Sequence, residues 1–441
     1  MTLLRGPQLF AVITAITLAP GVTLTRAADV TAKELADLAA QNRDLQQQVQ
    51  QQQKQIDELR RRLDTLQNGS ARHEPEVDQA RPEPEAPVRA DSAVATAVNA
   101  VRLSGETGLA FFSSGRDGAY PKSEFHVDEA RIFLEAPVWR NVYFFTGLEL
   151  ATRENDDGNL HFGELYADME DVLASGRDQR LSLRIGRFSI PFGEEYQYRS
   201  VMTNPLITHS VSDIWGYDSG VQLYGSLGRF QYNLAVQNGG INRDKSLTAR
   251  LSFEPVKSLR LSASAHRTGK VDANDDVFSS IWFAGGFFGT LNPAPTTRTF
   301  EVNLYEVDAT WRWKEGHVRA TGGTAQFEED NGTADNSRRA HYYSLEAEQP
   351  IVDRLYGAVR YSEVRVPGGY RLLGEGNAGT YFYNPYAPLT SNLQRLSVGL
   401  RYQFGPPLVW KLEYSWERGH LVNGLLRDAE DLFSTEIGLK F

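Results

Sequence analysis

The chain has 441 residues and no cysteine, which excludes disulfide frameworks, Cys-ligated metals and thiol nucleophiles. Its 46 Lys and Arg against 56 Asp and Glu leave a formal net charge of −10, and an acidic chain with no basic patch argues against nucleic acid as a partner. Mean hydropathy is −0.42, and past the N-terminal segment no apolar run is long enough for a transmembrane helix. Abundant Gly (38), Tyr (19) and Phe (22) favour strands and turns over helices.

Residues 1–27 read as a secretory signal peptide. Arg5 opens it, Leu9 to Ala19 is a short apolar core, and Thr25-Arg26-Ala27 offers small residues at a cleavage site. Residues 28–67 read as an α-helical coiled coil. With Leu35 at position a, the a series is Leu35, Asn42, Val49, Ile56 and Leu63, and the d series is Leu38, Leu45, Gln52, Leu59 and Leu66. A single helix cannot bury that seam, so partner chains are expected, with Asn42 fixing register. Residues 68–100 are a Pro-rich linker. Asn68-Gly69 stops the helix, and Pro75, Pro82, Pro84 and Pro87 suit an extended spacer.

From residue 101 to 441 the hydrophobic period is two. Leu396, Val398, Leu400, Tyr402 and Phe404 share one face, and Arg395, Ser397, Gly399, Arg401 and Gln403 the other. Many such segments reach ten residues, the span of a tilted membrane strand, whereas strands of soluble sheets are nearer half that. Sixteen segments can be placed. Most connections after the even ones are short and most after the odd ones are long. That is the plan of an all-β transmembrane barrel of about sixteen antiparallel strands with both chain ends on the periplasmic side. The segment 269–303 is the one place where a further hairpin, around Ile281 to Gly289, would raise the number to eighteen. The last strand alternates to a terminal Phe441, which resembles the assembly signal of outer-membrane proteins.

A barrel of this size encloses an aqueous lumen. If apolar faces meet lipid, Arg184, Arg250, Arg260, Arg312, Arg360, Arg401 and Lys411 point inward, with Glu306, Asp308, Glu346, Glu348, Glu413 and Glu436 among their acidic neighbours. The segment 184–193, RIGRFSIPFG, resembles the "phosphate-selective porin O and P" family, in which a strand of this pattern leads into a long loop. Gly186, Pro191, Phe192 and Gly193 carry the match. The resemblance implies a trimeric outer-membrane porin whose third loop folds into the lumen, for passive diffusion of small hydrophilic solutes, phosphate-like anions among them. In this chain that loop is 191–216, and its candidate constriction residues are Glu194, Glu195, Tyr198, Arg199, His209 and Asp213. Arg199 is their one Lys or Arg, so anion selectivity does not transfer cleanly. A later loop, 366–392, offers Tyr370, Tyr381, Phe382, Tyr383 and Tyr386 to sugar rings or to an interfacial belt.

The expected partners are outer-membrane lipid, further copies of the chain (three by the resemblance), small hydrophilic solutes and, through the stalk, peptidoglycan. A second reading makes the barrel a wall tether whose stalk is the functional part. No G-x-S-x-G or H-E-x-x-H motif is present and the eight His are scattered, so no enzymatic activity, metal or cofactor is expected.

Overall fold

The computed structural model describes residues 101–152, 161–175, 178–239, 244–272, 282–283, 299–329, 338–372 and 389–441. The expected signal peptide, coiled coil and linker lie outside these residues. Sixteen long strands follow one another: β1 (Arg102–Ser114), β2 (Glu124–Trp139), β3 (Val142–Thr152), β4 (His161–Ser175), β5 (Asp178–Ser189), β6 (Tyr217–Leu227), β7 (Phe230–Gln237), β8 (Ser246–Val256), β9 (Leu259–Arg267), β10 (Thr299–Trp313), β11 (Gly316–Glu329), β12 (Arg338–Val352), β13 (Leu355–Arg371), β14 (Leu389–Gly405), β15 (Leu408–Leu421) and β16 (Leu432–Lys440).

Each strand pairs antiparallel with the next, and β16 pairs with β1. The sheet is therefore a closed barrel with no unpaired edge, the form a spanning sheet needs where no water can satisfy free backbone groups. At the seam Gly108 faces Gly438 and Glu106 faces Lys440. Phe441 continues the seam: its N–H donates to the Gly105 carbonyl at 2.9 Å, and the Gly105 N–H returns a bond to its carbonyl at 3.0 Å. Gly105 leaves room for the Phe441 ring, which a Cβ there would approach to 2.5 Å.

The two ends differ. At one end the connections 140–141, 228–229, 257–258, 314–315, 353–354 and 406–407 are two residues long. Asn141, Gly228, Lys314 and Arg354 take positive φ in these turns, the conformation that tight hairpins with the native twist require. At the other end 115–123, 190–216 and 422–431 are much longer. The short strand Trp282–Phe283 pairs with Ile214–Trp215 and not with the barrel, so the number of wall strands stays at sixteen rather than eighteen.

Burial runs opposite to that of a soluble sandwich. On β8, Ser246, Thr248, Arg250 and Ser252 are buried, while Leu247 and Leu251 between them are exposed. Val307 is 62% exposed, beside Asp308 at 7%. Polar residues thus fill the interior and apolar ones cover the outside, the pattern of a membrane barrel. Two apolar clusters break that rule inside. In the larger, Ile190, Phe192, Val211 and Ile214 of the 190–216 loop pack on Val302, Leu304, Phe327, Tyr342, Val364, Val366, Tyr370 and Leu393 of β10 to β14. Tyr370, a candidate for exposed sugar contacts, is instead 2% exposed in this core, because β13 runs on to Arg371. The other aromatics of that loop lie outside the described residues.

Candidate functional site

The 190–216 loop enters the barrel and is tied to its inner wall. Its entry explains the residues that carry the porin resemblance. Phe192 is buried in the interior apolar cluster. Gly193 has φ +69°, and a Cβ there would sit 2.2 Å from Glu306 Oε1, so only glycine turns the chain inward at this point. The Gly193 N–H donates to Ser264 Oγ at 3.1 Å, and its carbonyl accepts from Arg250 at 2.8 Å.

Further along, the wall supplies a partner at almost every turn. Ser200 Oγ donates to Glu106 at 3.1 Å and the Val201 N–H to Glu129 at 2.8 Å. The N–H groups of Ile207 and Thr208 both donate to Glu413, at 2.5 and 2.9 Å. Lys411 donates to the Leu206 carbonyl at 3.1 Å. Arg360 reaches the Thr208 carbonyl at 2.7 Å and Asn204 Oδ1 at 2.8 Å, and Arg395 the His209 carbonyl at 2.8 Å. The Val211 N–H donates to Ser362 Oγ at 3.0 Å. A buried loop backbone needs such partners, and bonds from charged side chains are the stronger kind.

The inward cations therefore divide. Arg250, Arg260, Arg360 and Lys411 hold the loop or its neighbours: Arg260 lies 3.3 Å from Glu194, Arg360 also bonds Glu346 at 2.9 Å, and Lys411 lies 3.1 Å from Glu436. Arg401 pairs with Glu348 at 2.7 Å, and Arg312 stands opposite His317 near the short-turn end. Arg184 is placed differently. It bonds Asp168 at 2.7 Å, lies 4.1 Å over the Tyr166 ring and lines open space.

The loop candidates divide too. Glu194, Glu195, Tyr198 and His209 line a cavity of only about 30 Å³ against Asp308, Arg319, Glu346 and Arg360, room for about one water. Arg319 sits 3.7 Å over the Tyr198 ring, and Glu195 accepts from the Ser210 N–H at 3.0 Å. On the other side of the loop, Tyr196, Gln197, Arg199 and Trp215 face Arg131, Phe133, Glu149 and Glu164 across a cavity of about 160 Å³. Desolvation holds the Tyr196 hydroxyl above its ordinary pKa, with Arg250 opposing. Arg199 pairs with Asp213 and lies 4.5 Å over Trp215. Toward the short turns, the same wall borders a second cavity of about 500 Å³, lined by Glu135, Tyr143, Phe145, Tyr166, Asp168 and Arg184. The β2 to β5 wall thus carries the roomiest of these spaces.

Several of these residues escape sequence reasoning. The register between β1 and β2 skips Asp128, and that between β3 and β4 skips Gly163. Such bulges break alternation, so consecutive Asp128 and Glu129 are both 8% exposed. Arg131, which bonds Glu129 at 2.6 Å and Glu149 at 3.5 Å, belongs to this disturbed stretch. Phe133, Phe145 and Tyr166 are aromatic and inward, the reverse of the polar-inward alternation seen on strands such as β8. The signal that could have found them is the absence of alternation in Val142-Tyr143-Phe144-Phe145.

No family model matches the chain, and no curated protein sequence matches it. Among solved structures, the in-vitro folded OmpT, an outer membrane protein of Vibrio cholerae, is similar with a TM-score of 0.51 at 10% identity, over 77% of this chain and 97% of that one. The outer membrane channel DcaP of Acinetobacter baumannii is similar with a TM-score of 0.50 at 12% identity, over 77% of this chain and 97% of that one. At these identities the likeness is one of fold: this chain has the closed-barrel architecture of outer-membrane proteins.

Proposed function

We propose that the protein is an outer-membrane porin for passive diffusion of small hydrophilic solutes, with the short-turn end and the N-terminal stalk in the periplasm. The observation that carries this reading is the third loop, bound across a largely polar interior with two cavities of about 160 and 500 Å³ along one wall. Conduction in such a channel follows from which side chains line the narrowing. The solved barrels of similar fold, one of them described as a channel, fit the same reading. Oligomerisation, with three chains as the first expectation, is supported by the heptads of residues 28–67.

Phosphate selectivity draws support from the 184–193 motif. Against it stands the compensation of cations: Arg131, Arg184 and Arg199 each face a carboxylate, whereas phosphate needs donors left free for it. We therefore assign the pore weak ion selectivity. Planar-bilayer recording of the purified protein tests both parts. Conductance steps with a reversal potential near zero across a salt gradient are expected. A strongly anion-favouring potential restores the phosphate reading, and no conductance removes the porin reading. A tether reading draws on the same heptads; deleting 28–90 then damages the envelope while permeability persists.

A further inference from the structure

The porin reading leaves the solute class open, and the β2 to β5 wall bears on it; any solute assigned to that wall rests on that reading. Phe145 on β3 stands opposite Tyr166 on β4, and Phe133 on β2 is opposite Gly147, the next inward position of β3. The ring centroids are 6.0 Å apart for Phe133 and Phe145 and 5.0 Å for Phe145 and Tyr166, with interplanar angles of 24° and 23°. Phe133 lies over Gly147, where a Cβ would stand at ordinary contact distance, 3.6 Å, from the ring. The three rings form one diagonal band across neighbouring strands. Its upper member borders the cavity beneath the loop, and its lower two border the larger cavity toward the short turns. The band thus links the two spaces.

Arg184 lies over the Tyr166 ring, but apolar ring surface left in a water-filled lumen is unfavourable unless something covers it. The rest of this wall supplies what a particular kind of cover needs. Beside the rings stand Glu149 with Arg131 and Asp168 with Arg184, each cation within 3.5 Å of its carboxylate. Arg184 answers Asp168 and Arg131 is shared by Glu106, Glu129 and Glu149, so neither cation of these groups is left over to hold an anion. They still present acceptors and donors side by side. A solute that fits has a flat C–H face for the rings, hydroxyls around its edge and no net charge. A pyranose has all three. We propose that Phe133, Phe145 and Tyr166 form a binding track along which neutral sugars pass from the loop cavity to the periplasmic side.

The test records single channels of the full-length protein in potassium chloride while maltohexaose, a neutral glucose oligomer, is added. Saturable block of the ion current is expected. Phe145→Ala and Phe145→Leu (which keeps apolar volume without the flat ring) should each raise the half-blocking concentration at least tenfold in channels that still insert and conduct. Preserved conductance shows that the variant has folded, and Phe133→Leu provides a second probe of the same band should Phe145→Ala fail to insert. Channels that conduct but show no block, or block that all three variants leave unchanged, overturn the track and leave the porin reading standing. Stronger block by inorganic phosphate than by maltohexaose at equal concentration also overturns it. Absence of channels overturns the porin reading itself.

Discussion

The two sides of this barrel are built from the same kind of strand and put to different ends. From β8 round to β15 the inner wall is occupied. Arg250, Arg360, Arg395, Lys411 and Glu413 bond the 190–216 loop, and β10 to β14 add an apolar core around Phe192 and Ile214. From β2 to β5 the wall is more open. Glu129 accepts from the Val201 N–H of the loop, but the Arg131 and Arg184 guanidiniums pair with carboxylates of the wall itself, and its aromatic rings border solvent-sized space. The difference teaches that an inward charge is not in itself a pore charge. A cation that meets a loop carbonyl holds the fold together, and one that meets only a neighbouring carboxylate remains available to shape the lumen.

The contrast between the walls can be attacked at several points. The largest effect is expected at Glu413, which binds two loop N–H groups and the Thr208 hydroxyl. Glu413→Ala should cost roughly 3–5 kcal/mol, since buried donors lose a charged partner. It should also raise conductance severalfold as the loop leaves the wall. Urea unfolding in detergent and single-channel recording check the pair of effects, and a stable variant of unchanged conductance would mean the loop is held elsewhere.

The outer surfaces of the two sides should behave alike. Val307→Arg on β10 and Leu165→Arg on β4 each place a charge on an exposed apolar position. Each should cost about 2–4 kcal/mol in lipid if it lies near mid-membrane. Folding titrations into vesicles measure this. Tolerance of Leu165→Arg alone would show that the inside and outside of β4 have been exchanged.

Arg131→Gln probes the open wall. It leaves Glu106, Glu129 and Glu149 without the guanidinium they share. Cation preference should rise severalfold in the reversal potential, an electrostatic effect that high salt weakens. The same change at Arg360 should lower stability and leave the potential nearly unmoved. Equal shifts from both would erase the distinction between the walls. The smallest effect is expected for Ser264→Ala, which removes the partner of the Gly193 N–H. It should cost about 1 kcal/mol, seen as a small shift in the urea midpoint.

Much of this was legible in the residues. Strict alternation in Ser246 to Ser252 and in Arg395 to Phe404 assigns inside and outside correctly, because period two sends neighbours to opposite faces. The third loop was recognisable from Pro191, Phe192 and Gly193. Legibility failed on β2 to β4, where bulges at Asp128 and Gly163 shift the register and where aromatic residues occupy both faces. The open wall, which matters most for passage, was therefore the least readable part. Individual roles failed as well. Arg184 and Arg250 look alike in sequence, yet one lines a cavity and the other bonds the Gly193 carbonyl.

By itself the sequence determined the class of fold, the inside-out polarity of most strands and the place of the loop, while the choice of sixteen strands over eighteen waited on the structure. The first three depend on local periodicity and on turn residues, which act over a few positions. Only the tertiary structure decided which inward charges are consumed, which wall stays open and which rings meet. Those outcomes depend on contacts between residues up to about two hundred positions apart, such as Ile207 with Glu413. No local pattern encodes such a contact, because closure of the barrel, and not the neighbouring sequence, brings its partners together.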